Sequence, residues 1–216
     1  MYREVTTVAS LFFVKKLCLS FYKNNMNKIL LFLFFNLFLL GNLLAQLDLT
    51  PDFQTKLAET GVHFLTPVEH HFKVSKVYEN QLQPYDFAIR QKKDKVEIRY
   101  LVLPDTGVIA GGYPHMNFSN RTMTLASNED DEAVSTISVI QLTEKTLKEK
   151  YHADWGAISF FTPKKSFSNS RYCKLVGLYC EGRGYVYTFF LYDNVNVDFN
   201  AGYDLLEFEE VEKLTE

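Results

Sequence analysis

Residues 171–193 read RYCKLVGLYCEGRGYVYTFFLYD. Two runs rich in Tyr, Val, Leu and Phe flank EGRG, which carries the glycines that a tight turn needs, so the segment predicts a β-hairpin. The second run, YVYTFFLYD, is apolar at odd and even positions alike. A strand of that kind must be covered on both sides, so it belongs in the middle of a sheet with a layer on each face.

A second hairpin lies upstream. In YDFAIR (85–90), Tyr85, Phe87 and Ile89 alternate with Asp86, Ala88 and Arg90; in VEIRYLVL (96–103), Val96, Ile98, Tyr100 and Val102 alternate with Glu97 and Arg99. The polar residues 91–95 supply its turn. The alternation predicts an antiparallel pair with one covered and one wet face. FKVSKVYEN (72–80) and AISFFTP (157–163) read as further strands, the latter ended by Pro163.

Helix signals punctuate these strands. LTPDFQTKLAETG (49–61) places Thr50 at the N-cap, Pro51 at N1, Asp52 at the positive dipole end and Gly61 after the last turn. EDDEAVSTISVIQL (129–142) reads as a helix with acids in its first turn, TEKTLKEKYH (143–152) as a short helix capped by Thr143, and YDLLEFEEVEKL (203–214) as a terminal amphipathic helix using Leu205, Phe208 and Val211. Residues 104–128, dense in Gly, Pro, Asn and Ser, read as one long loop. The expected fold is α+β, an antiparallel sheet flanked by helices, in a single domain over 46–216.

An apolar segment precedes that domain. MNKILLFLFFNLFLLGNLLAQ (26–46) has Lys28, a run of Leu, Ile and Phe, and Leu-Leu-Ala before Gln46. Charge, apolar run and small residue in that order predict a secretory signal peptide at 26–45, cleaved after Ala45. A retained membrane anchor is the alternative, at the short end of spanning lengths. Residues 1–25 read as a start-site artefact or a disordered stretch, because Met26 is the better start for a signal. Residues 1–45 carry five Lys/Arg and one Glu, so the remainder has 18 basic against 25 acidic side chains. That acidic balance argues against nucleic acid, whose phosphates demand Lys and Arg.

The domain keeps two cysteines, Cys173 and Cys180. Seven residues apart on one strand, they would stand about 23 Å apart and on opposite faces. A disulfide needs Cα atoms within about 7 Å, so both are expected as buried free thiols.

In YHADWGAISFF (151–161), Asp154 with His152 and the lone Trp155 could form a site. The simpler reading is a structural corner: Asp154 bonds local backbone N–H groups, Trp155 fills the core, and Gly156 takes a conformation closed to other residues. Adjacent His70 and His71 point apart and do not make a metal site, and DNVNVDFNAG (193–202) does not follow a calcium-loop order. Neither metal nor cofactor is expected. There is no G-x-S-x-G and no phosphate loop. Asp130 and Asp131 read as helix-start charges, and Asn117 and Asn120 lie in N-x-[ST] sequons.

The succession GVHFLTP, YDFAIR, VEIRYLVLP, ADWGAISFFTP and GYVYTFFLYD resembles uncharacterised exported proteins of Bacteroidota, and more loosely the PsbP-like fold. The resemblance implies an assembly, chaperone or adaptor role and carries no site residues with it. The functional expectation is an exported, non-enzymatic binding or assembly module of the bacterial cell envelope. Its partner would be an envelope protein or small ligand, met through Tyr113, Met116 and Phe118 of the long loop. Membrane contact would come only through an uncleaved signal segment. The alternative is a hydrolase-type enzyme using His115, His152 and Asp154, which requires the three to converge.

Overall fold

The computed structural model describes residues 47–65, 72–93, 95–105, 113–127, 137–197 and 206–210. The apolar segment at 26–45, the cleavage position after Ala45, residues 1–25, the His70-His71 pair and Asp130-Asp131 lie outside the described residues.

Helix α1 (Pro51–Thr60) forms where the capping pattern predicts, with Thr50 in extended conformation before it and Gly61 in the left-handed region (φ 58°) after it. Gly61 N–H bonds back to the carbonyl of Ala58, which closes the last turn. Strand β1 (Val62–Phe64) follows, then β2 (Lys73–Val74), β3 (Phe87–Gln91) and β4 (Val96–Pro104). Helix α2 spans Pro114–Leu125. Strand β5 (Ser138–Gln141) leads to α3 (Glu144–Thr146), which widens into a π turn over Leu147–Tyr151. Strands β6 (Trp155–Phe161), β7 (Tyr172–Cys180), β8 (Gly184–Tyr192) and β9 (Leu206–Phe208) complete the order.

Seven strands form one fully antiparallel sheet in the order β2-β3-β4-β8-β7-β6-β5, and β1 and β9 form a separate antiparallel pair. The molecule is therefore α+β, and β8 lies at the centre of the sheet with every residue buried. Its alternate side chains feed two cores. Val186, Phe190 and Tyr192 join Phe53 and Leu57 of α1, Leu206 and Phe208 of β9, and Leu147 and Tyr151 of the π turn. Tyr185, Tyr187, Phe189 and Leu191 join Phe118 and Leu125 of α2 on the other side. Cys173 belongs to the second core and Cys180 to the first, both buried and unpaired, as the strand periodicity requires.

Several segments depart from the sequence expectations. Within the long loop expected at 104–128, Pro114–Leu125 is helix α2, which buries Phe118, Thr122 and Leu125 along one face, with Pro114 in its first turn; residues 106–112 are not described. The helix's Asn, Ser and Thr content masked that stripe. The helix expected over 129–142 ends in strand β5, whose pairing with β6 supplies its hydrogen bonds; residues 129–136 are not described. The terminal helix expected over 203–214 is instead β9 at Leu206–Phe208, held by β1 across Val62↔Phe208 and Phe64↔Leu206, while Leu205 and Val211 lie outside the described residues. Of the strand expected over 72–80, Lys73–Val74 is strand against β3, and the Ser75 N–H adds one more bond to the Ala88 carbonyl at 2.8 Å.

The wet face expected of the β3–β4 hairpin is also covered. Glu97 is 9% exposed. Its carboxylate is clasped by Arg90 and by Arg99 Nε at 2.7 Å. The Arg99 guanidinium lies over the Tyr85 and Phe167 rings, 4.7 and 5.0 Å from their centroids, and donates to the Phe167 carbonyl at 2.8 Å. Charged residues sit inside here because each polar group has a partner.

Two substitutions test this packing. A Cβ on Gly177 of β7 would meet Phe118 Cδ2 at 2.5 Å and Tyr187 Cε1 at 3.2 Å. Gly177→Ala should therefore push α2 off the sheet and cost about 2 kcal/mol in urea unfolding. Glu97→Gln leaves Arg99 buried without its counter-charge and should cost about 3 kcal/mol by the same measurement. Burial alone would raise the Glu97 pKa, but Arg99 and Arg90 outweigh it and hold the carboxyl below its ordinary value. Its share of stability is thus present above the unfolded pKa and lost as pH falls through the folded one, a decline that Glu97→Gln should lack.

Candidate functional site

The Asp154 corner is occupied by structural work. Asp154 Oδ1 accepts from Lys148 Nζ at 2.9 Å, and Oδ2 accepts from the backbone N–H of Glu181 at 2.9 Å. That second donor is in the β7–β8 turn rather than in the local backbone, so the aspartate ties the π turn to the hairpin. The Glu181 N–H, opposed by partial burial and aided by Lys148, holds the Asp154 carboxyl below its usual range. Trp155 packs edge-on against Phe118 at 5.6 Å, filling space between α2 and the sheet. Gly156 is required for room rather than for its dihedral angles: a Cβ there would lie 2.9 Å from both Leu147 and Leu178.

His152, at positive φ (49°), closes the π turn. Its Nδ1 stands 2.9 Å from the Phe208 carbonyl, which can only accept, so Nδ1 donates and the ring is fixed toward β9. His115 opens α2 on the opposite side of the sheet, exposed, with its ring 5.7 Å from that of Tyr113. The structure does not draw His115, His152 and Asp154 toward one point. Nor is either thiol prepared for attack. Burial raises the pKa of Cys173 far beyond the thiol range, and burial with the Asp154 charge raises that of Cys180. Among the described residues, no three His, Cys, Asp or Glu side chains gather as metal ligands would.

Of the expected contact residues, Tyr113 and Met116 are exposed on α2, 66% and 52% respectively, whereas Phe118 is 1% exposed. Phe118 faces the core because the segment is a helix, and it is unavailable to a partner. Met123, 66% exposed, continues the outer stripe seven residues after Met116.

A cleft that the sequence reading missed lies beside this stripe. It is an open cleft of about 420 Å³ between α2 and strands β4 and β8, lined by Gln83, Leu103, Asn117, Asn120, Arg121, Thr124, Tyr185 and Tyr187. Arg121, half-buried, lies over the Tyr187 ring with its Cζ 4.2 Å from the centroid and donates to Gln83 Oε1. Gln83 is held in turn: its Nε2 donates to the Pro84 carbonyl at 2.7 Å, and its backbone N–H is capped by Asn80 Oδ1 at 3.0 Å. Asn117 Nδ2 donates to the Tyr185 hydroxyl at 2.9 Å. Burial raises the Tyr187 pKa despite the neighbouring guanidinium, so the phenol stays neutral.

Among the described residues, the charge of Arg121 has no acid to answer it, and its Nε is buried without a hydrogen-bond partner. The one signal in the sequence was the composition of α2, PHMNFSNRTMTL, in which Arg121 stands without an acid. A second cleft of about 480 Å³, around Arg90, Lys92, Lys95 and Lys165, differs in kind because Glu97 and Asp193 share its lining. No family model, curated protein or solved structure matches this chain.

The depressed Asp154 carboxyl sets a pH test. A lowered folded pKa gives stability that is present above the unfolded value of about 3.9 and lost as pH falls through the folded one. Asp154→Asn should therefore flatten part of the acid limb of a stability–pH profile read by urea unfolding. An unchanged limb would show that the Lys148 and Glu181 contacts carry no net stability.

Proposed function

We propose that this chain is an exported, non-enzymatic binding module of the bacterial cell envelope. In this reading it is built on a PsbP-like plan and delivered by the signal segment at 26–45. The observation that carries it is the α2 cleft: a half-buried guanidinium among neutral amides and hydroxyls, which suits holding a ligand rather than transforming one. The hydrolase alternative has less support, since His152 and Asp154 are committed to β9 and to the β7–β8 turn while His115 lies across the sheet. Tyr113 and Met116, joined by Met123 in place of the buried Phe118, form the outer face on which an envelope protein would rest.

The compartment is tested by fractionating the producing cells and sequencing the N-terminus of the protein recovered. The expected product lies outside the inner membrane and begins at Gln46. A full-length protein in the cytoplasm would overturn the envelope reading, and one retained in the inner membrane would make the apolar run an anchor.

A further inference from the structure

We infer that the cleft under α2 binds the carboxylate of a small organic monoacid, with Arg121 as the anchoring cation. The inference rests on the binding-module reading of the same cleft and adds the chemistry of its ligand. A guanidinium taken partly out of water loses hydration, and that loss is ordinarily offset by a paired anion. Arg99, on the same side of the sheet, shows how this chain meets the requirement when the charge is structural: Glu97 answers it directly, and the Phe167 carbonyl and two aromatic rings complete its surroundings. Arg121 has the aromatic ring and a neutral amide oxygen, but among the described residues no acid.

Helix geometry rules out a local answer. The positions three and four residues from Arg121 are Asn117, Phe118, Thr124 and Leu125, none of them acidic. The guanidinium cannot swing away to find an acid either, because Tyr187 lies under it and Gln83 holds one of its nitrogens. Gln83 is itself fixed by Pro84 and Asn80, so the arrangement is set before any ligand arrives. What remains is a forked donor beside an open cleft, with amides and a hydroxyl from Asn117, Asn120 and Thr124 around the space.

Charge and size narrow the ligand. One fixed positive charge balances one negative charge, which suits a monocarboxylate; a phosphate, near two negative charges at neutral pH, would be left half-compensated. A cleft of about 420 Å³ admits a small organic acid. The neutral amides on its rim add hydrogen bonds without adding repulsion.

The test is calorimetric titration of the folded protein, in low-chloride buffer at neutral pH, with benzoate and hexanoate. Inorganic phosphate and neutral benzamide serve as comparators. Benzoate or hexanoate should bind with a millimolar dissociation constant, and phosphate and benzamide at least about tenfold more weakly. Arg121→Gln should weaken the monoacid by about tenfold or more, and Arg121→Lys should fall between, since an ammonium keeps the charge and loses the fork. Asn117→Asp conserves side-chain volume and places a carboxylate four residues before Arg121, the favoured order for a helical ion pair. It should abolish monoacid binding while raising the urea midpoint, an outcome that a folding defect could not imitate. No heat from either monoacid, equal binding by Arg121→Gln, or phosphate binding as tight as benzoate would overturn the assignment. Those results leave the export experiment untouched, so the ligand can fail while the envelope reading stands.

Discussion

Everything in this molecule follows from a strand that has no wet side. All nine residues of β8 are buried; β7 pairs along its full length and β4 from Gly184 to Leu191. Alternating side chains then present two apolar surfaces, and each must be covered. On one side the cover is composite: α1, the β1–β9 pair and the π turn bring Phe53, Phe208 and Leu147 to the sheet. Phe53 stacks on Phe87 at 4.9 Å, and Phe64 meets Tyr100 edge-on at 5.3 Å, so aromatic rings join the covering elements to β3 and β4. On the other side the principal cover is α2, which is why a segment of modest apolar content is a helix at all.

The docking of α2 depends on the absence of a side chain at Gly177, into whose space Phe118 descends. That contact, with Trp155 beside it, sets the rotation of the helix and hence where Arg121 lies. The two arginines on this side of the sheet then make an instructive pair. Both spread a guanidinium over an aromatic ring. Arg99 is neutralised by Glu97 two residues away on its own strand and becomes part of the core wall. Among the described residues Arg121 has only neutral neighbours in the cleft, and it keeps its charge there. The same residue type, stacked in the same manner, is structural in one place and available in the other because of a single carboxylate.

The parts of the fold legible in the sequence are those where periodicity and burial agree. The two-faced apolar run of β8 and the Gly61 stop of α1 could each be read from local patterns. α2 could not, because its buried face includes Thr122, and Asn, Ser and Thr fill the rest, so no apolar stripe stands out. β5 is a different failure. All four of its residues are exposed, so neither face writes a pattern, and pairing with β6 decides the matter. β9 is three residues long, and its identity depends on β1, 142 or more positions away in the chain. The cleft was hidden for a related reason: Gln83, Arg121 and Tyr187 come from three separate segments, and only α2's lack of an acid beside Arg121 was visible locally.

The Asp154 corner shows why conspicuous residues need not be chemical ones. A π turn has one residue too many for an α-helix, and His152 leaves it through the left-handed region, which strains a residue bearing a Cβ. That conformation is held from two directions. The His152 ring bonds to the β9 carbonyl, and Asp154, two residues on, bonds to both Lys148 and the backbone at Glu181. The corner thereby joins the π turn, β9 and the β7–β8 hairpin, three elements far apart in sequence. A carboxylate with both oxygens engaged and an imidazole whose Nδ1 is bonded to a main-chain carbonyl are held in place as structural ties. Arg121 is bonded to Gln83 and lies on Tyr187 but meets no carboxylate among the described residues, and that missing counter-charge separates the cleft from the corner.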